Sequence, residues 1–197
     1  MLRKIWLIAA ICLVTGGSGW AALIIDQNQP NADALLATFE QPDLAQSFQQ
    51  ANNNIAGAGI FLKPFVGTGG LVTISLWNAL PNAGGNQLAT ASAPGSPGAW
   101  LDVFWNPIAI TPNTTYFLVF TSATTLGIGG GVDPYSRGQA YANAGFQAFP
   151  LFDYTFRTYY DNNFVPGVPE NGPTVLFLAL TLTLFCLLGG RLPKKSG

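Results

Sequence analysis

The fold of this chain is decided by the stretch Leu71-Val-Thr-Ile-Ser-Leu-Trp77. Its even positions, 72, 74 and 76, are all branched aliphatic residues, while Thr and Ser occupy two of its odd positions. Alternation with a period of two residues is typical of a strand that buries one of its faces. The stretch therefore predicts a β-strand, and the segments on either side of it can be tested for the same pattern.

Short β-rich runs recur along the middle of the chain and are separated by turn residues, as in Gly67-Thr-Gly-Gly70 and Pro81-Asn-Ala-Gly-Gly85. The run from Tyr116 to Phe120 is apolar on both faces, which is compatible with a central strand. Short strands with regular turn signals predict an antiparallel sandwich or barrel. The predicted strands lie near Ala45–Gln50, Ile55–Phe61, Leu71–Trp77, Gln87–Ala91, Ala99–Trp105, Thr115–Thr121, Gln139–Tyr141 and Tyr154–Tyr159.

Two further segments lack this strand pattern. Asp33 to Glu40 is compatible with one or two helical turns at the entry to the domain. Gly127-Ile-Gly-Gly-Gly131 superficially resembles a phosphate-binding loop, but no Lys-Ser/Thr pair and no helix start follow it. We therefore expect a flexible connection between strands at this position.

The composition excludes several classes of function. Between residues 23 and 169 there are three basic residues against eight acidic ones, a net charge of −5, which gives no electrostatic footprint for nucleic acid. The chain has no His, and its two cysteines, Cys12 and Cys186, lie in apolar end segments. Ser-His-Asp and Cys-His catalysis and the usual zinc ligand sets are therefore excluded for the middle of the chain.

The N-terminus has the pattern of a secretory signal peptide over residues 1–22. Arg3 and Lys4 precede an almost wholly apolar run from Ile5 to Val14, and small residues follow. We expect cleavage after Ala21 or Ala22. The alternative is an uncleaved N-terminal anchor helix.

The C-terminus predicts a transmembrane helix over residues 174–190. This run is uncharged and mostly apolar, and its seventeen residues would span about 25 Å as a helix, close to the ~30 Å of a hydrocarbon core. Arg191, Lys194 and Lys195 follow it. Because basic residues flanking apolar segments favour the cytoplasm, we expect both chain ends to lie on the cytoplasmic side. Residues 23–170 would then lie on the far side of the membrane.

The tail resembles a PEP-CTERM sorting signal, including its Val-Pro-Asp-Ser-Gly variant. Asn171 stands where the main form has Pro, and Pro193 interrupts the terminal basic cluster. The resemblance implies recognition by an exosortase, a membrane-embedded cysteine transpeptidase that cleaves such tails during export. An ordinary tail anchor is the alternative. The residues that match the motif, within a sorting signal at 168–197, are Val168, Pro169, Glu170, Asn171, Gly172 and Arg191.

The middle of the chain resembles the jelly-roll domains called choice-of-anchor domains. The resemblance implies an all-β, antiparallel jelly-roll β-sandwich outside the cytoplasm, here over residues 23–161. The Pro- and Asn-rich composition that follows predicts a stalk at 162–167. Such domains look like carbohydrate-binding sandwiches. The matching segments, in order, are Ala45–Phe48, Leu71–Trp77, Thr114–Val119, Tyr135–Tyr141 and Asp153–Tyr159.

Sugar binding needs exposed aromatic rings beside amide or carboxylate groups. The candidate glycan platform comprises Trp77, Trp100, Tyr135 and Tyr141. A core position is the alternative for each Trp, while Tyr135 is expected to be exposed because it lies in the turn Asp133-Pro-Tyr-Ser. We expect Arg137 and Arg157 to pair with the nearby Asp133 and Asp153.

From the sequence we predict that the protein binds no cofactor and is not an enzyme. A calcium site is an alternative, but its candidate ligands are scattered rather than set in a dense loop; they are Asp26, Asp43, Asp133 and Asp153. The predicted role is structural or adhesive, in an exopolysaccharide or biofilm matrix, with an exosortase, the membrane and exopolysaccharide as partners. The first alternative is a carbohydrate-binding module with a defined glycan, and the second is a two-carboxylate glycoside hydrolase.

Overall fold

The computed structural model describes residues 23–132 and 135–167, which form thirteen β-strands and one 3-10 turn at Pro81–Ala83. The predicted signal peptide and sorting signal lie outside these residues. No helix of the described part is long and apolar enough to cross a membrane. The strands are β1 Leu23–Gln29, β2 Ala34–Thr38, β3 Leu44–Gln49, β4 Asn54–Phe61, β5 Gly70–Trp77, β6 Gln87–Gly95, β7 Trp100–Ala109, β8 Thr115–Ser122, β9 Gly127–Val132, β10 Ala140–Ala142, β11 Gln147–Phe149, β12 Phe152–Tyr154 and β13 Phe156–Asp161.

These strands form three antiparallel sheets. The four-stranded sheet has the order β1-β13-β4-β7, the six-stranded sheet β11-β10-β3-β8-β5-β6, and the small sheet β12-β9-β2. Buried side chains of the two larger sheets belong to one core, in which the rings of Phe48 and Phe156 lie 6.3 Å apart. The predicted all-β, antiparallel fold is confirmed, and the packing of its sheets is that of a β-sandwich.

The alternating stretch that first indicated a strand forms β5. Val72, Ile74 and Leu76 are fully buried in the core, while Leu71 at the start of the strand is 61% exposed. The apolar run from Tyr116 lies in β8, which is hydrogen-bonded on both sides, by β3 and β5. The interpretation of this run as a central strand is confirmed.

The two segments that lack the strand pattern are in fact paired strands. Asp33 to Glu40 contains β2, which pairs with β9, so the helical interpretation is wrong. The Gly127–Gly131 run lies in β9, the middle strand of the small sheet, so it is not a flexible connection. A Cβ at Gly130 would overlap the side chain of Leu36. Glycine is required here because neighbouring groups pack directly against the strand backbone.

The strand predicted over Tyr154–Tyr159 is interrupted at Thr155. On one side β12 pairs with β9, and on the other β13 pairs with both β1 and β4. The Thr155 N–H still donates to the Gly129 carbonyl at 2.7 Å, and its C=O accepts from Phe61 N at 3.1 Å. The chain therefore passes from the small sheet to the four-stranded sheet at one residue without losing its backbone hydrogen bonds.

Candidate functional site: an aromatic face on the four-stranded sheet

The outer face of the four-stranded sheet depends on the sequence of its inner strand β4. Ala58 and Ile60 are fully buried in the core. Because side chains alternate along a strand, Gly57, Gly59 and Phe61 lie on the opposite face. The strand therefore presents bare backbone at two successive outer positions, and side chains of the flanking strands can lie across it.

An ion pair lies across β4 at Gly59. The strand register places Gly59 of β4 between Arg157 of β13 and Asp102 of β7. Arg157 Nε donates to Asp102 Oδ1 at 2.8 Å, and Arg157 Nη2 donates to Asp102 Oδ2. A Cβ on Gly59 would overlap the Asp102 carboxylate. The bidentate pair therefore depends on the absence of a side chain at position 59.

Two aromatic rings meet across β4 at Gly57. Gly57 lies between Tyr159 of β13 and Phe104 of β7, whose ring centroids are 5.2 Å apart in an edge-on arrangement. A Cβ on Gly57 would lie 2.5 Å from the Phe104 ring. Phe104 is 50% exposed although it packs on the sheet. The Tyr159 hydroxyl donates to Asp102 Oδ1 at 2.9 Å, so a hydrogen bond links these two rings to the ion pair.

Trp100 completes the face on the other side of the ion pair. It is paired with Phe61 across the strands, and their rings meet edge-on at 5.8 Å. The guanidinium carbon of Arg157 lies 4.2 Å from the Trp100 ring centroid and 5.7 Å from that of Tyr159. Arg157 is thus held by a carboxylate and by two cation–π contacts. The residues that we call the aromatic face are Phe61, Trp100, Asp102, Phe104, Arg157 and Tyr159.

The electrostatics of the aromatic face are balanced near neutral pH. The hydrogen bond to Asp102 raises the pKa of Arg157 above its usual value, so the guanidinium stays charged and its charge is offset by the carboxylate. Burial, and then the hydrogen bond to Asp102, raises the pKa of the Tyr159 phenol, which remains neutral. The face is therefore polar at its centre without carrying an excess charge.

These groups have the chemistry to bind a sugar. Phe104, which is 50% exposed, and the partly exposed rings of Trp100 and Phe61 offer apolar surface to the C–H faces of pyranoses. Tyr159 is 9% exposed and contributes mainly through its hydrogen bond to Asp102. The bonds to Asp102 use two of the five N–H donors of Arg157, and a carboxylate has about four acceptor sites, of which three are used. The remaining donors and acceptor can bind hydroxyl groups beside the rings.

Of the four predicted platform residues, Trp100 alone lies on the aromatic face. Trp77 and Tyr141 lie together on the outer side of the six-stranded sheet, in a small cluster with Phe146. Trp77 is half-buried and its Nε1 donates to Ser75 Oγ at 3.0 Å. The structure therefore divides the predicted platform between two sheets.

The prediction that Tyr135 is exposed is wrong, because it is 8% exposed. Its N–H donates to Asp153 Oδ2 at 3.1 Å and its hydroxyl to Gln27 Oε1 at 2.9 Å. Its ring contacts Phe156 edge-on at 5.0 Å. The turn thus directs the ring into the core, where burial raises the pKa of the phenol.

The arginine partners also differ from those expected. The expected pairing of Arg157 with Asp153 is replaced by the ion pair with Asp102. Arg137 Nη2 donates to Gln27 Oε1, and Asp133 lies outside the described residues. Proximity in sequence was misleading here because the chain passes from the small sheet to the four-stranded sheet at Thr155, between Asp153 and Arg157.

The sequence interpretation missed five site residues, which are Phe61, Asp102, Phe104, Arg157 and Tyr159. Two signals were present. Positions 100, 102 and 104 of β7 carry a ring, a carboxylate and a ring at the spacing of one strand face. Glycines at alternate positions 57 and 59 inside a strand indicate that another group approaches its backbone closely.

Of the candidate calcium ligands, Asp133 lies outside the described residues, and the other three do not form a metal-binding group. Within residues 23–132 and 135–167 there is no group of three or more acidic, His or Cys side chains that could hold a metal ion. The Asp26 carboxylate accepts from the N–H groups of Ala51 and Asn52 at 3.0 and 2.8 Å. Asp43 accepts from Gly145 N at 2.7 Å. Both carboxylates organise loops through the backbone.

A cavity of about 270 Å³ lies away from the aromatic face, beside the small sheet. Its lining is mostly apolar and includes none of the predicted platform residues. The residues that line it are Leu36, Gln41, Ala140, Ala142, Asn143, Phe149, Phe152 and Tyr154.

No protein-family model matches this chain, and neither does any curated protein sequence. A β-sandwich fold hosts many unrelated activities, so the fold alone does not assign one. What the protein does has to follow from the chemistry of the aromatic face.

Proposed function

We propose that this protein is an exported component of the cell surface or extracellular matrix that binds polysaccharide through its aromatic face. Its role is structural or adhesive, within an exopolysaccharide or biofilm matrix. The N-terminal signal pattern and the PEP-CTERM-like motif from Val168 to Gly172 support export and sorting by an exosortase-type system.

The strand pairing supports a jelly-roll topology for the domain. Eight strands pair in a nested order: β1 with β13, β3 with β8, β4 with β7, and β5 with β6. Successive pairs alternate between the four-stranded and the six-stranded sheet, as the two interleaved Greek keys of a jelly roll require. In this topology one face of the four-stranded sheet packs on the core, and Phe104 on its other face is 50% exposed, as a platform requires.

The observation that carries the binding proposal is the Arg157–Asp102 pair, set between the Trp100–Phe61 and Phe104–Tyr159 rings. Such an arrangement places hydrogen-bonding groups between two apolar surfaces, and sugars carry both kinds of surface. If the Arg157–Asp102 pair only stabilised the fold, the face would not need an exposed aromatic ring beside it. Phe104 is 50% exposed to solvent, so apolar surface remains available to a ligand next to the pair.

The proposal is tested by affinity electrophoresis of the full chain, purified in mild detergent, through gels that contain soluble polysaccharides. We expect retardation by at least one polymer, and a loss of about tenfold in affinity for Phe104→Ala, because one stacking ring is removed. Leu71→Ala is the matched control, since Leu71 is a 61% exposed apolar residue on the other large sheet. Equal retardation of the two variants would contradict the proposal.

A further inference from the structure

We infer that the aromatic face binds an internal segment of a neutral polysaccharide, and that the chain of sugars lies across the strands. This inference rests on the proposed function and adds the class of ligand and its direction. It follows from three features of the face: its charge balance, the arrangement of its rows and its open ends.

The charge balance disfavours an acidic polymer. Recognition of uronates needs cations that are free to bind a carboxylate, but Arg157 already makes a bidentate pair with Asp102. Lys63 Nζ donates to the Ala32 carbonyl at 2.7 Å, and Arg137 binds Gln27. Residues 23–169 carry a net charge of −5, so a polyanion would be repelled.

The register arranges the face in rows that cross the strands. One polar row contains Asn28, Arg157 and Asp102, with Gly59 between the last two. The spacing between neighbouring rows is about 7 Å, the rise of two strand residues.

The next row, of apolar side chains, contains Ile25, Tyr159 and Phe104 in the same order across the strands, with Gly57 between the last two. A sugar chain that crosses the strands can keep its ring faces on an apolar row and its hydroxyl groups on the polar row. A chain that ran along β7 would meet Trp100, Asp102 and Phe104 in turn, and would alternate between stacking and hydrogen-bonding positions.

Among the described residues, those at both ends of the apolar row are exposed. β1 and β7 are the outer strands of this sheet. Ile25 at one end of the apolar row is 43% exposed and Phe104 at the other is 50% exposed. A site that recognises a chain end needs a wall to stop the chain, whereas an open row lets a polymer continue past both edges. The face therefore fits internal segments.

The ligand class is tested with the full chain in detergent, using affinity electrophoresis in gels of mixed-linkage β-glucan, galactomannan, alginate or polygalacturonate, at low and high salt. We expect a neutral polymer to bind at least about tenfold more tightly than either uronate polymer, with little effect of salt. Tighter binding of a uronate polymer, weakened by salt, would overturn this inference and leave the proposed function standing. Binding of neither class would overturn the proposed function itself.

One substitution makes the charge argument specific. Asp102→Asn removes the negative partner and leaves the Arg157 cation on the face, so this variant should gain salt-sensitive binding to alginate. A variant that gains none would contradict the claim that Asp102 sets the charge preference. Thermal unfolding and circular dichroism of the variant establish that the fold is retained.

The claim that internal segments are bound is tested by partial hydrolysis of the neutral polymer, which multiplies chain ends at constant mass. Binding to internal segments predicts that the half-saturating mass concentration stays constant or rises. A fall in proportion to the number of new ends would show that chain ends are bound and would overturn this part of the inference.

Discussion

The guanidinium carbon of Arg157 lies 4.2 Å from the centre of the Trp100 ring, although a whole strand separates the two residues. They meet because the intervening strand β4 presents Gly59 and Gly57 outward, so that side chains from β13 and β7 can lie flat across it. The flat face is therefore encoded mainly by two residues that have no side chain.

The first prediction concerns this gap. Gly59→Ala places a Cβ on the Asp102 carboxylate and forces the ion pair apart, so we expect a loss of about 1–3 kcal/mol in the free energy of unfolding together with weaker polysaccharide binding. Urea denaturation measures the first effect and affinity electrophoresis the second. Gly145→Ala is the control, because an added Cβ would meet no other atom within 4 Å, although an alanine at the φ of 85° found here would be strained. If Gly145→Ala also weakened binding, the overlap at Gly59 would not be the cause.

The second prediction concerns the coupling between Arg157 and Asp102. We expect a double-mutant cycle of Arg157→Gln and Asp102→Asn to give a coupling of about 1 kcal/mol in unfolding free energy. The pair is about one-fifth exposed at each side chain, so solvent screening limits its strength. Additive single effects would show that the two residues do not stabilise one another.

The third prediction concerns alkaline pH. Burial raises the pKa of Tyr154, which is 1% exposed in the core. The unfolded chain then releases the phenol proton near pH 10 while the folded chain retains it, so the contribution of this group is complete below pH 10 and is lost as the pH rises further. We expect it to add about 1.4 kcal/mol per pH unit to the decline in unfolding free energy above pH 10.

The variant Tyr154→Phe isolates this contribution, since it removes the ionising group and the hydrogen bond to the Tyr141 carbonyl. It should be less stable than the parent at pH 7, and its stability should fall less steeply above pH 10. An unchanged slope in pH-dependent denaturation would refute the assignment to Tyr154.

The fourth prediction concerns the chain ends. Export and sorting as proposed would remove the first 21 or 22 residues and separate the segment Thr174–Gly197 from the mature protein. Intact-mass spectrometry of protein from the cells that produce it measures both events. A mature chain that retains Thr174–Gly197 would argue for an ordinary membrane anchor.

The sequence was sufficient to predict the sheets where burial is one-sided. In β5 the aliphatic residues Val72, Ile74 and Leu76 alternate with polar Thr73 and Ser75 and all three lie in the core, so the sequence pattern indicated the buried face directly. The pattern is absent from β9, where glycines allow neighbours to pack against the backbone, and from β2, whose pairing with β9 is set by contacts distant in sequence. Local signals cannot report such contacts.

The site was predictable only in part for the same reason. Trp100 was recognised by its residue type. Arg157 reaches Trp100, and Tyr159 reaches Phe104, from more than fifty positions away through β13. Tyr135 was misplaced because the carboxylate of Asp153, which lies in β12, accepts a hydrogen bond from the Tyr135 N–H and the ring points into the core. Residue type indicates which groups are candidates, and strand register determines which of them meet.

The central claim, that the aromatic face binds polysaccharide, is tested most directly by calorimetric titration of the full chain with the polymer that retards it most. The dissociation constant is compared for the parent, Trp100→Ala and Trp77→Ala, two half-buried tryptophans on opposite sheets. We predict that Trp100→Ala raises the dissociation constant by about tenfold or more and that Trp77→Ala leaves it unchanged. Unchanged binding by Trp100→Ala, or loss of binding in Trp77→Ala alone, would contradict the claim.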